Sequence, residues 1–368
     1  MATGSSSVLG RLEGAVVDAD FHMTEQIWNV GPYMNDYWQD LLTGFHERDW
    51  YYDPFPDAGI MAPHALAGRT RTHEADTVAS REDVYEGIDQ LDVDRPLVNP
   101  GDALLNLSMV HHDGLAAEIA RAYNRFFLEE IACEDFYGTM AIAGQDPARA
   151  AEEIDDVAGE DGVHGVYLPT GGLNPPLGDS RYDPIYAACE SNDVPLFMHN
   201  TADGTMTSFP VQYDGLGRAM PNHAIAHPFQ HMVNVSSILT RGVPERFDVD
   251  LVFQEGGLGW VPFLMHRLDE EYYAQREDAP LLEKRPSEYM REDFHYTTQP
   301  VEGLTNDPEY VCSIARMMNA SETLMWSSDY PHHDFDHLVT VLRAFNREFT
   351  AEELTAIFGG NARELLES

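Results

Sequence analysis

Basic residues are scarce in this sequence, and lysine is almost absent. Only 22 lysine and arginine residues stand against 63 aspartate and glutamate residues, which gives a formal net charge of -41. Lys284 is the only lysine. Binding to phosphate backbones or to anionic membrane surfaces requires patches of lysine and arginine. We therefore expect neither a nucleic-acid partner nor a membrane partner.

Cysteine and long apolar runs are also lacking. The three cysteines, Cys133, Cys189 and Cys312, are scattered and have no paired spacing, which predicts neither a disulfide framework nor a structural zinc cluster. Nowhere do about 18 apolar residues follow one another, and the first fifteen residues lack a cationic start before an apolar stretch. We expect a cytoplasmic protein without membrane spans.

The acidic excess does not indicate disorder. Hydrophobic residues make up 43% of the chain and aromatic residues 11%, enough for a large core. One domain over residues 1–368 is the simplest organisation, since single α/β barrels commonly exceed ~250 residues. Our hypothesis for the acidity is that the protein works in strong brine, where salt screens its self-repulsion.

Eight short apolar runs have the character of buried parallel strands. Four of them stop at a residue that can do chemistry: Ala15–Asp20, which continues to His22, Pro195–His199, Asp250–Glu255 and Thr323–Asp329. The other four are Arg95–Asn99, Gly138–Ile142, Val163–Leu168 and Phe294–Thr298. Helical periodicity lies between them, as in Asp183–Asn192 and His337–Phe349. This alternation predicts an α/β fold, a (β/α)8 TIM barrel. An open doubly wound sheet is disfavoured because no glycine-rich loop follows the first strand.

The span from about Thr24 to Asp89 is too long for an ordinary loop between strand and helix, and we interpret it as an insertion. It is rich in aromatic residues, namely Trp28, Tyr33, Tyr37, Trp38, Trp50, Tyr51 and Tyr52. These rings could cover the barrel mouth and shape an apolar pocket. They could equally pack the insertion against the barrel.

Asp20 and His22 are two residues apart on the first strand, so their side chains share a face, and Asp18 shares it too. His199 and Asp329 end two other strands, where a buried imidazole or carboxylate needs a metal or a hydrogen-bond partner. Taken singly, a core histidine or a helix-capping aspartate explains each. Taken together, two imidazoles and two carboxylates can hold one divalent transition-metal ion and leave coordination positions open.

Glu255 is the first candidate for a general acid or base, because partial desolvation raises the pKa of a carboxyl toward neutrality. Hydrogen bonding of its side chain to the backbone amides of Gly256 and Gly257 is the equally weighted structural alternative.

Further histidines surround these candidates in the sequence. His223, His227 and His231 are spaced by four and would line one face if that segment is helical. For His223 and His231 we favour simple solvent exposure. His332 and His333 follow Asp329, and His332 could orient a ligand or simply pack at a helix N-terminus.

Several motifs resemble one known family. They are D-x-D-x-H at Asp18–His22, the strand-end His199, F-x-E-G-G-x-G-W at Phe253–Trp260, S-D-Y-P-H at Ser328–His332 and G-G-N-A-R-E-L at Gly359–Leu365. This pattern resembles the amidohydrolase-2 family, which includes aminocarboxymuconate semialdehyde decarboxylase and γ-resorcylate decarboxylase. The likeness covers nearly the whole chain outside the insertion.

The resemblance implies that Asp20, His22, His199 and Asp329 are the metal ligands, and it places His227, in A-H-P-F, near the pocket. This chain departs from the commonest family pattern, which has histidine in place of Asp20. It also departs from the characterised decarboxylases, which have histidine in place of Glu255. Some members of the wider superfamily bridge two metal ions with a carboxylated lysine on the fourth strand. The only lysine of this chain is far from that strand, so we expect a single metal ion. Zinc is favoured, with manganese or iron as alternatives.

The resemblance also implies an enzyme. We favour hydrolysis of a C–N or C–O bond through metal-activated water, with Glu255 or Asp329 moving the proton and His227 nearby. We prefer hydrolysis because this chain has Glu255 where the decarboxylases have histidine. Non-oxidative decarboxylation is the first alternative. A non-catalytic metal-binding barrel is the second. No G-x-S-x-G or H-E-x-x-H motif supports another hydrolase class. We expect a small-molecule substrate and a homo-oligomer.

Overall fold

The computed structural model describes residues 10, 12–25, 27–46, 78–201, 219–332 and 334–368. Within these residues eight parallel strands form one sheet in the order of the sequence. They are β1 (Val17–His22), β2 (Arg95–Asn99), β3 (Tyr137–Ala141), β4 (Gly165–Pro169), β5 (Leu196–His199), β6 (Leu251–Gln254), β7 (Phe294–Thr297) and β8 (Leu324–Met325). The prediction of a TIM barrel is confirmed.

Backbone hydrogen bonds close the sheet between β1 and residues 326–330, a contact that we call the seam. The amide of Ala19 donates to the carbonyl oxygen of Trp326 over 3.0 Å, and the amide of Asp329 donates to that of Asp20 over 2.8 Å. The amide of His22 donates to the carbonyl oxygen of Tyr330 over 2.7 Å. The two ends of the barrel therefore meet beside the predicted metal ligands.

The eighth strand is shorter than the sequence predicts. We expected it to run from Thr323 to Asp329, but β8 covers only Leu324–Met325, and Thr323 ends a short helix. The reason is irregular bonding after β8, where the amide of Ser327 donates to a side chain, the Thr298 hydroxyl. Asp329 itself has a left-handed backbone with φ of 65°, which no strand contains.

Helices connect the strands and cover the outside of the barrel, as a right-handed β/α repeat requires. The described α-helices span Ile27–Val30, Asp36–His46, Arg81–Leu91, Asp102–Leu105, Asp113–Phe126, Pro147–Val157, Asp183–Asn192, Ala219–Thr240, Trp260–Ala274, Pro286–Glu292, Pro308–Met317, Ala320–Thr323, Leu338–Phe345, Ala351–Thr355 and Asn361–Leu366. The helix predicted at Asp183–Asn192 is confirmed, and the one predicted at His337–Phe349 is shorter.

The barrel interior is packed rather than hollow. Apolar side chains from most of the strands fill it, and the C-terminal helix closes its lower end; the cluster is Val17, Ala19, Leu97, Tyr137, Phe197, Val252, Met325, Ala362, Leu365 and Leu366. Asn361 fixes this helix by donating its side-chain amide to the carbonyl oxygen of Leu324 over 2.8 Å. The G-G-N-A-R-E-L motif thus closes the end of the barrel opposite the predicted site.

The last residues that we assigned to the insertion after β1, residues 81–89, form most of the helix Arg81–Leu91 that leads into β2. Tyr33 packs on Phe126 with ring centroids 5.8 Å apart, and Trp38 packs on His112 at 5.1 Å. These contacts favour the packing interpretation for these two rings. The Tyr37 side chain is exposed, whereas the Trp28 side chain, Trp50, Tyr51 and Tyr52 lie outside the described residues.

The structure also describes the state of the cysteines and the character of the helices. All three cysteines are free thiols. Among the residues that the structure describes, none of the helices combines the length and the apolar character that crossing a bilayer requires.

Candidate metal centre

Four side chains predicted as metal ligands meet at the C-terminal ends of the strands. Each of Asp20, His22, His199 and Asp329 offers one ligand atom, and these atoms all lie within 4.8 Å of one another. Nε2 of His22 is 3.1 Å from Oδ1 of Asp20 and 3.3 Å from Oδ1 of Asp329. Nε2 of His199 is 3.6 Å from Oδ2 of Asp20. Two ligand atoms at ~2.1 Å from a shared ion lie about 3.0 to 3.4 Å apart, so the spacing suits one ion.

Buried ligand atoms in this cluster lack hydrogen-bond partners among the described residues. They are Oδ2 of Asp20, Nε2 of His22, both ring nitrogens of His199 and Oδ2 of Asp329. All four side chains are fully buried. Unsatisfied buried polar atoms are costly, and a cation satisfies carboxylate oxygens and neutral imidazole nitrogens together. The residues present therefore fit a divalent transition-metal ion.

Neighbouring polar groups orient two of these side chains. Nδ1 of His22 donates to the carbonyl oxygen of Pro100 over 2.6 Å, which leaves the lone pair of Nε2 aimed into the cluster. Oδ1 of Asp20 accepts from the side-chain amides of Asn99, over 2.7 Å, and Gln254, over 3.3 Å. Sequence reasoning did not single out these two amides. Their position was the one available signal, since Asn99 ends a predicted strand and Gln254 is the last residue but one of another.

Asp18 does not join the cluster, contrary to its predicted place on the same face as Asp20. Its carboxylate accepts hydrogen bonds from the amide and hydroxyl of Ser328. The physical reason is an irregularity in the β1–β2 register between Asp18 and Phe21, which breaks the alternation of a regular strand. Burial raises the pKa of Asp18 to about 7.

Burial and opposite charges set the protonation of the cluster. Burial raises the pKa of the Asp20 carboxyl, but His22 and His199 outweigh it and hold that pKa below its usual range. Burial also raises the pKa of Asp329, but His332 and His22 outweigh it and lower that pKa to about 2. Burial lowers the pKa of His22, but the neighbouring Asp20 outweighs it and raises that pKa well above its usual value. For His199 the effect of burial prevails, and its pKa is lowered. Both carboxyls are therefore ionised, as cation ligands must be.

Glu255 lies beside this cluster, immediately after β6. Its Oε2 is 3.4 Å from Nε2 of His199 and 3.6 Å from Nδ1 of His227. The structural alternative was that the Glu255 side chain bonds to the backbone amides of Gly256 and Gly257. The amide of Gly257 instead donates to the carbonyl oxygen of Gln299. Burial, followed by the negative charge of nearby aspartates, raises the pKa of Glu255 well above its usual value. The backbone of Glu255 is left-handed, with φ of 52°.

His223 and His227 face the same region from the helix Ala219–Thr240, as their spacing predicts. With Glu255 they form a second group whose ligand atoms lie within 4.8 Å of one another. Nε2 of His223 is 3.3 Å from Oδ2 of Asp334, and the rings of His223 and His227 are 5.0 Å apart. His227, predicted near the pocket, is thus brought to Glu255.

The remaining candidate histidines have different surroundings. The favoured solvent exposure is wrong for His231, which is fully buried because its Nε2 donates to the carbonyl oxygen of Gln254 over 2.6 Å, a structural role. His332 donates from Nδ1 to Oδ1 of Asp329 over 2.7 Å and so supports that carboxylate. His333 lies outside the described residues.

Comparison with known protein families identifies the family of this chain. A model of the family described as Amidohydrolase matches residues 17–367, nearly the whole chain. The chain belongs to the amidohydrolase family. Membership confirms the resemblance seen in the motifs and the expectation of an enzyme of this superfamily. Comparison of this amidohydrolase with curated protein sequences finds no significant match.

Solved structures share the fold of this amidohydrolase at low identity. An amidohydrolase from Mycobacterium avium subsp. paratuberculosis has a TM-score of 0.72 and 19% identity, over 96% of this chain and 100% of that one. The 5-carboxyvanillate decarboxylase from Sphingomonas paucimobilis has a TM-score of 0.65 and 22% identity, over 96% of this chain and 99% of that one. A dihydroxybenzoic acid decarboxylase from Polaromonas sp. JS666 has a TM-score of 0.68 and 17% identity, over 96% of this chain and 97% of that one. At these identities the similarity establishes the fold.

Proposed function

We propose that this amidohydrolase is a metal-dependent decarboxylase that removes CO2 from a small carboxylic acid without oxidation. One observation carries the proposal: four buried ligand atoms converge, and the Glu255 carboxyl lies at their edge, 3.4 Å from His199. Such a site offers a place for the substrate carboxylate and a separate group that can carry a proton.

The similar structures favour decarboxylation over the hydrolysis that the sequence suggested. Two of the three structures compared above are decarboxylases of aromatic acids, and the one from Polaromonas was solved with manganese and 2-nitroresorcinol bound. A 5-carboxyvanillate decarboxylase from Novosphingobium aromaticivorans also contains manganese. The glutamate at position 255, which suggested hydrolysis, also suits decarboxylation, since a carboxyl can deliver a proton as histidine can.

Asp20, His22, His199 and Asp329 would hold the ion. When bound, it supplies a positive charge that holds the substrate carboxylate and an adjacent oxygen. The bound manganese of the similar structures supports manganese over the zinc favoured from the sequence.

The protein side chains then supply the proton that the reaction consumes. As the bond between the substrate carbon and its carboxylate breaks, that carbon keeps the electron pair and takes a proton, and CO2 leaves. Glu255 is placed to give this proton, with His227 beside it at 3.6 Å. Solvent returns one proton to Glu255 for each turnover.

Product analysis tests the proposal. We would incubate the manganese-loaded protein with hydroxybenzoates, other small carboxylic acids, amides, esters and lactones in D2O and, separately, in H2(18)O. Decarboxylation releases CO2 and leaves one deuterium on the product carbon. Incorporation of 18O into a cleaved product without CO2 release would show hydrolysis and refute the proposal. Inactivity on all substrates with full metal occupancy would favour the non-catalytic barrel.

A homo-oligomer remains a prediction of ours. Light scattering coupled to size-exclusion chromatography would test it in the same buffers.

A further inference from the structure

We propose that this barrel has a second divalent-cation site, formed by His223, His227 and Glu255 beside the candidate metal centre. The ligand atoms of these three residues lie within 4.8 Å of one another. Two of them are one helical turn apart on the helix Ala219–Thr240, and the third directly follows β6. Two separate elements of the fold therefore bring a set of two nitrogens and one oxygen together, a set that suits zinc or manganese.

The state of His227 points to a ligand at this place. Its side chain is only 4% exposed, and neither of its ring nitrogens has a hydrogen-bond partner among the described residues. Nδ1 is 3.6 Å from Oε2 of Glu255, and the ring is 5.0 Å from that of His223. A buried imidazole with both nitrogens unsatisfied is costly. A cation between it and its two neighbours would satisfy one of these nitrogens and so reduce that cost.

Asp334 extends the second site on its outer side. Its Oδ2 lies 3.3 Å from Nε2 of His223, and both side chains are 26% exposed. The site therefore runs from the buried His227 to groups that solvent reaches, so an ion can enter it without passing through the first centre.

Glu255 belongs to the surroundings of both sites, since its Oε2 is 3.4 Å from His199 and 3.6 Å from His227. A second ion bound to this carboxylate takes the group that would deliver the proton. Excess metal should then inhibit decarboxylation. This consequence rests on the proposed function, whereas the site itself does not.

Metal stoichiometry tests the site without substrate. Metal-depleted full-length protein would be titrated with Zn2+ in concentrated potassium acetate, which suppresses adventitious binding to the acidic surface. Calorimetry and elemental analysis after equilibrium dialysis would count the bound ions. We expect two ions per chain in the wild type, and one in His223→Gln and in His227→Gln. His266→Gln removes an exposed histidine from another helix and should still bind two.

Two results would overturn the site. One is a single bound ion in the wild type, and the other is a second ion that survives in both variants, which would show surface binding only. Circular dichroism would verify folding, and the partly exposed His223 provides a variant that does not disturb the core.

Rates measured with one and with excess equivalents of Zn2+ test the inhibition. We expect at least a fivefold loss in the wild type as the second ion binds and no such loss in His223→Gln. An undiminished rate with two ions bound would refute the inhibition. Absence of CO2 release under any condition would refute the proposed function, while the stoichiometry would still decide the site.

Discussion

Nε2 of His22 lies 3.3 Å from Oδ1 of Asp329, although the two residues come from near opposite ends of the chain. Their contact crosses the seam, where the amide of His22 also bonds to the carbonyl oxygen of Tyr330. The candidate metal centre is therefore complete only when the barrel is closed.

Asn99→Ala tests the support of the candidate centre. Asn99 holds Oδ1 of Asp20 over 2.7 Å, and loss of such an outer partner commonly weakens metal binding about 10- to 100-fold. We expect the dissociation constant for Mn2+ to rise by that factor, as measured by calorimetry. Asn192→Ala, on an outer helix, is the matched control and should bind like the wild type. Equal affinities for both variants would contradict a role for Asp20 as a ligand.

Glu255→Gln separates proton delivery from metal binding. The amide has nearly the same shape but cannot give up an acidic proton, so we expect turnover to fall about 100- to 10,000-fold. The first equivalent of metal should still bind, because Glu255 is not one of the four residues of the first centre. Steady-state CO2 release and metal content would be measured together, with the exposed Glu277→Gln as control. Retained turnover would remove Glu255 from the mechanism.

His231→Gln tests a pH effect on stability. Burial lowers the pKa of His231 to about 4. Between about pH 6.5 and pH 4 this imidazole therefore stays neutral in the folded protein, whereas it is protonated in the unfolded chain. The unfolded state therefore binds more protons between these values, and stability falls as pH drops from 6.5 to 4, by about 3 kcal/mol.

Glutamine can keep the hydrogen bond to the Gln254 carbonyl oxygen but does not titrate. Urea unfolding across this pH range should show a shallower slope for the variant than for the wild type. Parallel slopes would mean that His231 is not the group responsible.

Salt dependence tests the interpretation of the acidic composition. With a net charge of -41, repulsion within the folded chain should weaken as salt screens it. We expect the melting temperature to rise steadily with KCl concentration. Sucrose is a control for general preferential exclusion and lacks the screening effect. A melting temperature that is already maximal in dilute buffer would end the brine hypothesis.

Much of the barrel could be predicted because buried parallel strands are continuous apolar runs. Each of the eight runs contains or overlaps an observed strand, and the helix Asp183–Asn192 has the predicted bounds. What failed were local features that depend on tertiary contacts. The end of β8 is irregular because Ser327 bonds to the Thr298 side chain, and such a bond has no periodic signature.

The candidate site shows the same division. The four candidate ligands could be predicted, since each is a charged or imidazole residue in or just after an apolar run. The departure of Asp18 could not, because it follows from a register irregularity against β2. Asn99 was overlooked for another reason: an amide is an ordinary strand-ending residue, and only the observed bond to Asp20 reveals what it does.

The left-handed backbone at Glu255 and Asp329 means that folding and chemistry make opposite demands on the rim. Any residue with a side chain other than glycine loses about 1 kcal/mol or more in that conformation. Glycine at either position would relax the main chain and delete a carboxylate. Selection for thermal robustness alone would thus erode this barrel at the proposed proton donor and at one candidate metal ligand, so stabilised variants should be sought elsewhere in the molecule.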